Sequence, residues 1–132
     1  MRLLVVVLSF LFMSVAVADD VRGPVIEYLE MTPKFTVNLA EPRKFLLVNV
    51  QLLVNGAEAV ESVKKHMPAL RHELVMMYSG MRSDELQTTE QREALRQETT
   101  AIIRQTLEKM EGKKAEPNKG FQEAYFTEFL VD

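Results

Sequence analysis

The chain has 132 residues, a formal charge of −3 and no cysteine. That length supports one folded domain with a hydrophobic core. The balance of 16 basic against 19 acidic residues, with no cationic run interleaved with aromatics, excludes nucleic-acid binding by phosphate neutralisation. Without cysteine, apolar packing must hold the fold unaided, and thiolate nucleophiles and thiolate metal sites are excluded.

Residues 1–18 carry the three parts of a secretory leader. Arg2 supplies the positive start, Leu3–Phe12 is apolar except for Ser9, and Ala16 and Ala18 stand at −3 and −1 before Asp19. Cleavage is expected between Ala18 and Asp19. The apolar stretch Leu3–Ala18 is shorter than the ~20 residues that span a bilayer. The other reading is a short uncleaved membrane anchor with Arg2 held inside. Both place the body in the periplasm. Loss of Arg2 with the leader leaves 15 basic against 19 acidic residues, a charge of −4.

Residues 19–26, with Gly23-Pro24, read as a linker. Phe35, Val37 and Leu39 alternate with Lys34, Thr36 and Asn38, the period of a half-buried strand. After the turn chemistry of Ala40–Arg43, Leu46, Val48, Val50, Leu52 and Val54 form a second apolar row. The two runs read as an antiparallel hairpin with one strongly apolar face.

Helical periodicity begins at Ala57, with Ala59, Val60, Val63 and Met67 on one stripe. Pro68 predicts a break, and a second helix is expected over about 69–79 with Leu70, Leu74, Met77 and Tyr78 inward. Gly80 ends it, and Met81–Gln87 connects. The pair Thr88 and Gln91 has capping-box spacing and starts a third helix. Along it Leu95, Thr99, Ile102, Thr106 and Met110 share a face, widened by Ile103 and Leu107, and Gly112 ends it. A polar loop, Glu111–Gly120, leads to an aromatic, β-branched run, Ala124–Val131, expected to pair with the hairpin. The expected fold class is therefore α+β: an antiparallel sheet of N-terminal hairpin and C-terminal strand, with three helices on one face.

No catalytic constellation emerges. His66 and His72 lie six apart across Pro68, whereas two metal ligands on one helical face need a spacing of three or four. Glu58/Glu61, Asp84/Glu85 and Glu90/Glu93 lie among cations or at helix starts, where carboxylates favour the dipole. The five glycines are scattered at element boundaries, so no phosphate-cradling loop exists, and there is no G-x-S-x-G elbow. A non-enzymatic protein without cofactor or metal is expected. Met67, Met77 and Met110 suit the core, while Met76 and Met81 flank the end of the second helix and suit a contact patch.

Three segments together resemble the FliL family. Tyr28-Leu29 followed by Phe35-Thr36-Val37-Asn38-Leu39 is similar to its opening F-x-V-N-L strand. Pro68 to Ser79, then Asp84-Glu85-Leu86 and Thr89-Glu90 with Leu95-Arg96 and Glu98, resembles its proline-led helix, D-L turn and helix start. Tyr125-Phe126-Thr127-Glu128-Phe129 matches its terminal Y-F-T-x-F strand. The likeness extends over 27–132 as a periplasmic domain. It implies a fold like the SPFH domain of stomatin-like scaffolds and assembly of copies into a ring. It also implies flagellar stator and basal-body partners at the inner-membrane surface, with a role in motor rotation, motility and chemotaxis. Two departures stand out. The chain has a leader-like run where family members carry a cytoplasmic tail and true anchor, and Gln91 stands near a customary glycine. The first keeps open a released scaffold or binding module without a motor role.

Overall fold

The computed structural model describes residues 25–132; Ala16, Ala18 and Asp19, at the expected cleavage site, lie outside them. The order is β1 (Ile26–Glu30), β2 (Phe35–Asn38), β3 (Phe45–Asn55), α1 (Ala57–Ser79), a 3-10 turn (Ser83–Leu86), α2 (Thr89–Glu111) and β4 (Gly120–Val131). The class is α+β, with one antiparallel sheet and both helices on one face of it.

β3 is the organising strand. β2 pairs with its first half, Phe35 opposite Val48, and β1 with its second half, Leu29 opposite Leu52. Both therefore lie along one edge of β3, and β4 pairs along the whole of the other. Leu46, Val48, Val50, Leu52 and Val54 are fully buried, so the alternation expected of this run holds throughout. β1 is a strand that the sequence reading did not assign. It begins at Ile26, within the segment read as linker, and its apolar contribution to the core is limited to Leu29. A five-residue strand with one inward apolar residue gives little periodicity to detect.

β4 is longer than expected and irregular. Two register shifts, at Asn49/Val50 and Leu53/Val54, leave Thr127 and Gln122 as extra residues. A bulge of this kind lets positions three apart share a face. It places Phe126 and Phe129 together, with ring centroids 5.5 Å apart, and likewise brings Phe121 and Ala124 to the core side. A strict period of two would have turned half of these residues outward.

The helices number two, not three. Pro68 does not divide the 57–79 segment, which is one continuous helix. Proline in a helix interior removes one hydrogen bond and crowds the carbonyl four residues back. Here Pro68 and Lys64 are both exposed, so water can satisfy the carbonyl that loses its donor. Val60 and Val63 on one side of Pro68, and Leu70, Leu74 and Tyr78 on the other, are all buried against the same core. Tertiary burial on both sides overrides the local break. Gly56, at φ 107°, supplies the sharp turn from β3 into α1, a conformation that L side chains rarely adopt.

α2 begins as expected. Thr88 Oγ1 accepts from the Gln91 amide at 3.1 Å and Gln91 Oε1 accepts from the Thr88 amide at 3.0 Å. The Gln91 side chain also donates to the Asp84 carbonyl at 3.0 Å, binding the 3-10 turn to the helix start. Leu95, Thr99, Thr100 and Ile103 are buried, while Met110 is 50% exposed and does not join the core. Arg104 turns from α2 toward the sheet. It reaches β4, donating to the Gln122 carbonyl at 2.7 Å and stacking over Phe121.

Between the helices, Tyr78 and Thr99 share a hydrogen bond of 2.8 Å, and both are fully buried. Burial raises the Tyr78 hydroxyl well above the usual tyrosine pKa, so it stays neutral. Phe35 meets Tyr78 edge-on at 5.9 Å, and Arg71 stacks over the other side of Phe35 at 4.2 Å.

Candidate interaction surface

The sheet has helices on one face and nothing on the other among the described residues. That bare face is divided into three zones by side chains that alternate away from the core. At one end Ile26 and Tyr28 of β1, Leu53 of β3 and Tyr125 of β4 lie side by side, with Tyr28 and Tyr125 rings 6.4 Å apart. Ile26 is 60% and Tyr28 59% exposed. At the far end Leu47 of β3 faces Leu130 of β4, the latter half exposed.

The middle zone is polar. Lys34 pairs with Glu128 across β3. Beneath lies Asn49, buried, whose Nδ2 donates to Glu30 Oε1 at 3.2 Å and to Thr127 Oγ1 at 2.8 Å. A carboxylate only accepts, which fixes the amide orientation. Asn49 Oδ1 is then left buried without a hydrogen-bond partner. Such an acceptor is uncommon in folded proteins.

α2 closes the outer edge of β4. Thr100 Oγ1 accepts from the Ala124 amide at 3.0 Å, and Arg96 donates to the Ala124 carbonyl at 3.0 Å and to Glu123 at 2.7 Å. Arg96 also takes Glu93 at 2.6 Å. The Glu93 and Glu123 carboxylates raise the Arg96 pKa, and Arg96 in turn holds Glu93 below the usual carboxylate range. These side chains occupy backbone groups that would otherwise form an open strand edge.

The sites weighed from sequence resolve into structural roles. His66 and His72 do not meet: His72 is exposed, and His66 Nε2 lies 2.7 Å from Glu111 Oε1. Ser62 donates its hydroxyl to the same oxygen. The Ser62 hydroxyl, then His66, hold the Glu111 carboxyl below its usual pKa. This cluster joins α1 to the end of α2. Asp84 and Glu85 sit in the exposed 3-10 turn, with Asp84 3.6 Å from Arg82. Glu41 accepts from the Ser83 hydroxyl at 2.7 Å and the Ser83 amide at 2.5 Å, which lower its pKa. Met81 packs on the core, whereas Met76 is 60% exposed beside the half-exposed Val75. A cleft of about 510 Å³ lies between the start of α1, the end of α2 and the turn before β4. Its floor is Val63, Leu107 and Phe121, and its rim mixes Lys113 and Lys114 with Glu58 and Glu108.

No three His, Asp or Glu side chains converge as a metal set among the described residues. The expected layering, with helices on one face, implied an uncovered second face, but the sequence reading did not mark that face as a contact surface. Its one available signal was the second row of β3, where Leu47 and Leu53 bracket Asn49 and Gln51.

This arrangement offers contact chemistry. The family model described as "Flagellar basal body-associated protein FliL" matches residues 28–131, from β1 to the last residue of β4. The chain belongs to the FliL family. The FliL match covers the helical layer and, apart from Ile26, the bare sheet face in front of it. Among curated proteins, "Flagellar protein FliL" of Aquifex aeolicus (strain VF5) is 31% identical over 104 residues, covering 77% of this chain. The chain spans 59% of that relative's length. Both descriptions assign FliL to the flagellum, as a basal-body accessory family. No helix among the described residues is long and apolar enough to cross a membrane.

Proposed function

We propose that this protein is a flagellar motor accessory that works by contact on the periplasmic side of the inner membrane. In this reading it associates with stator units and the basal body, supports rotation and motility under load, and contributes to chemotactic control. Residues 1–18 export it, either as a leader cut between Ala18 and Asp19 or as a short membrane anchor. Residues 19–26 lead into the domain, which resembles SPFH scaffolds and assembles with its own copies as a ring. Membership of the basal-body family carries the flagellar part. A bare sheet face with exposed Ile26, Tyr28, Tyr125 and Leu130 supports action by contact.

Deletion of the gene, with swimming and swarming measured in viscous medium, tests the reading. Reduced motility restored by the intact gene is expected. Unchanged motility at every load contradicts it.

A released periplasmic scaffold without a motor role is the second reading, favoured by Ala16 and Ala18 placed as a cleavage signal before Asp19. N-terminal sequencing and fractionation separate the two. A chain starting at Asp19, soluble and never copurifying with stator proteins, favours the released form.

A further inference from the structure

The cleft of about 510 Å³ between the start of α1, the end of α2 and the turn before β4 lies apart from the bare sheet face, and it has the size of a small-molecule site. Val63, Leu107 and Phe121 give it an apolar floor. Most charged groups on its rim are already engaged. Arg104 donates to the Gln122 carbonyl, and Glu108 accepts from the Ala115 amide at 3.3 Å. Glu111 accepts from Ser62 and meets His66, and Glu116 pairs with Lys119 at 3.7 Å. Lys113, Lys114 and Glu58 are exposed and have no hydrogen-bond or ion-pair partner among the described residues. The rim therefore offers two successive ammonium groups and one carboxylate around an apolar floor.

Position brings this cleft to the bilayer. The Gly56 amide donates to the Val25 carbonyl at 2.7 Å, and Asn55 and Gly56 line the cleft, so the chain enters the domain beside it. Residues 19–24 span ~22 Å at most, even fully extended. With residues 1–18 kept as a membrane anchor, the cleft lies close to that distance from the bilayer surface or nearer.

We propose that the cleft holds the headgroup of a zwitterionic phospholipid of that bilayer. Its phosphate sits against Lys113 and Lys114, its ammonium against Glu58, and its glycerol and upper acyl carbons over Val63, Leu107 and Phe121. This site rests on the anchored form of the reading above. Charge selects the zwitterion. Cations and carboxylates on the rim are equal in number, and the whole chain carries −3, so an anionic headgroup meets no net attraction. It would also leave Glu58 unanswered. A phosphate and an ammonium on one short headgroup answer all three free charges, through charge-assisted hydrogen bonds to a site that also takes carbon. A wholly apolar ligand would cover the floor and leave the rim idle.

The chain has no cysteine, so a single substitution places one fluorophore. Ala115→Cys labels the exposed rim of the cleft, and Ile26→Cys labels an exposed position outside it, next to the point where the chain enters the domain. The full chain is reconstituted into vesicles of phosphatidylethanolamine and phosphatidylcholine, or of phosphatidylglycerol, doped with a lipid spin-labelled at the headgroup. Strong quenching at Ala115 is expected in the zwitterionic vesicles and weak quenching in phosphatidylglycerol. Lys113→Gln/Lys114→Gln, and separately Glu58→Gln, are expected to remove most of it while leaving Ile26 quenching, which reports the tether alone, unchanged. All three residues are exposed, so the variants keep the fold. Because a label could itself fill the cleft, the parent chain is also irradiated in vesicles with a phosphatidylethanolamine photoactivatable at the top of its acyl chain, and adducts on Val63, Leu107 or Phe121 are expected. Quenching at Ala115 that ignores the rim variants, together with no adduct in the cleft, overturns the site; stronger quenching in phosphatidylglycerol overturns the zwitterion. Flotation of the parent chain separates the levels. A chain that floats with vesicles but shows no rim-dependent quenching or cleft adduct keeps its anchor and loses this site; a chain that does not float loses both.

Discussion

Among the described residues, the hydrogen bond between Tyr78 and Thr99 is the one side-chain hydrogen bond buried at the junction of the two helices, and a double-mutant cycle on it tests how the helical layer is specified. Both residues are fully buried and their oxygens lie 2.8 Å apart. Thr99→Val keeps the shape of the side chain but strands the tyrosine hydroxyl in an apolar setting, at an expected cost of about 1–3 kcal/mol. Tyr78→Phe strands the smaller group. A threonine hydroxyl inside a helix can turn to the carbonyl of its own preceding turn, so a loss of only about 0.5–1.5 kcal/mol is expected. The double variant leaves no orphan. It is expected to be more stable than Thr99→Val alone, with the two effects coupled by ~1 kcal/mol. Urea unfolding followed by circular dichroism supplies the values, and ~1 kcal/mol corresponds to a shift of roughly 4–8 °C in a domain of this size. A double variant as unstable as the sum of the singles refutes the premise that the hydroxyls depend on each other. At alkaline pH the sign follows from the raised Tyr78 pKa. Above pH ~10 the unfolded tyrosine ionises while the folded one does not, so stability falls with rising pH, and Tyr78→Phe should shallow that fall.

Three further outcomes follow from the packing. Pro68→Ala restores a helix hydrogen bond on the exposed side of α1 and is expected to raise the unfolding free energy by ~1–3 kcal/mol; a loss would mean that the proline sets the path of α1 over the sheet. Thr100→Val leaves the Ala124 amide on the covered edge of β4 without its acceptor, and a loss of ~1–3 kcal/mol is expected in the same assay, with faster amide exchange at Ala124. Glu111→Gln acts on pH dependence. The folded carboxyl lies below 4.5, so its contribution is present above that value and disappears as pH falls through the lowered pKa. The variant is expected to show a shallower acid loss of stability than the parent chain, and an unchanged acid limb contradicts this role for the Ser62–His66–Glu111 cluster.

Much of the sheet was legible because β3 alternates without error over five inward residues, and the capping box at Thr88 and Gln91 marked the start of α2 to within a residue. β1 escaped because only Leu29 among its five residues is buried. The division at Pro68 failed because a local break was weighed without the burial on both sides of it. Sequence spacing could not reveal the bulges at Gln122 and Thr127, which alone make Phe126 and Phe129 neighbours on one face. Helix spacing could not show that Arg92, Arg96 and Arg104 of α2 stack on Phe129, Tyr125 and Phe121 of β4. Their partners lie about 20 to 40 residues away, beyond any local pattern. The contact surface was hidden for a similar reason: Tyr28 and Tyr125 become neighbours only once β1 and β4 flank β3.

Motility in a deletion strain carrying single surface variants tests most directly whether the bare sheet face is where this protein works. Tyr28→Ser and Met110→Ser both remove an exposed apolar side chain, one on that face and one at the far end of α2. With both variants exported and folded to the level of the parent, spreading in viscous medium is expected to fail with Tyr28→Ser and to be restored by Met110→Ser. Full restoration by Tyr28→Ser, and by Tyr28→Ser combined with Tyr125→Ser, contradicts a flagellar role exercised through this surface.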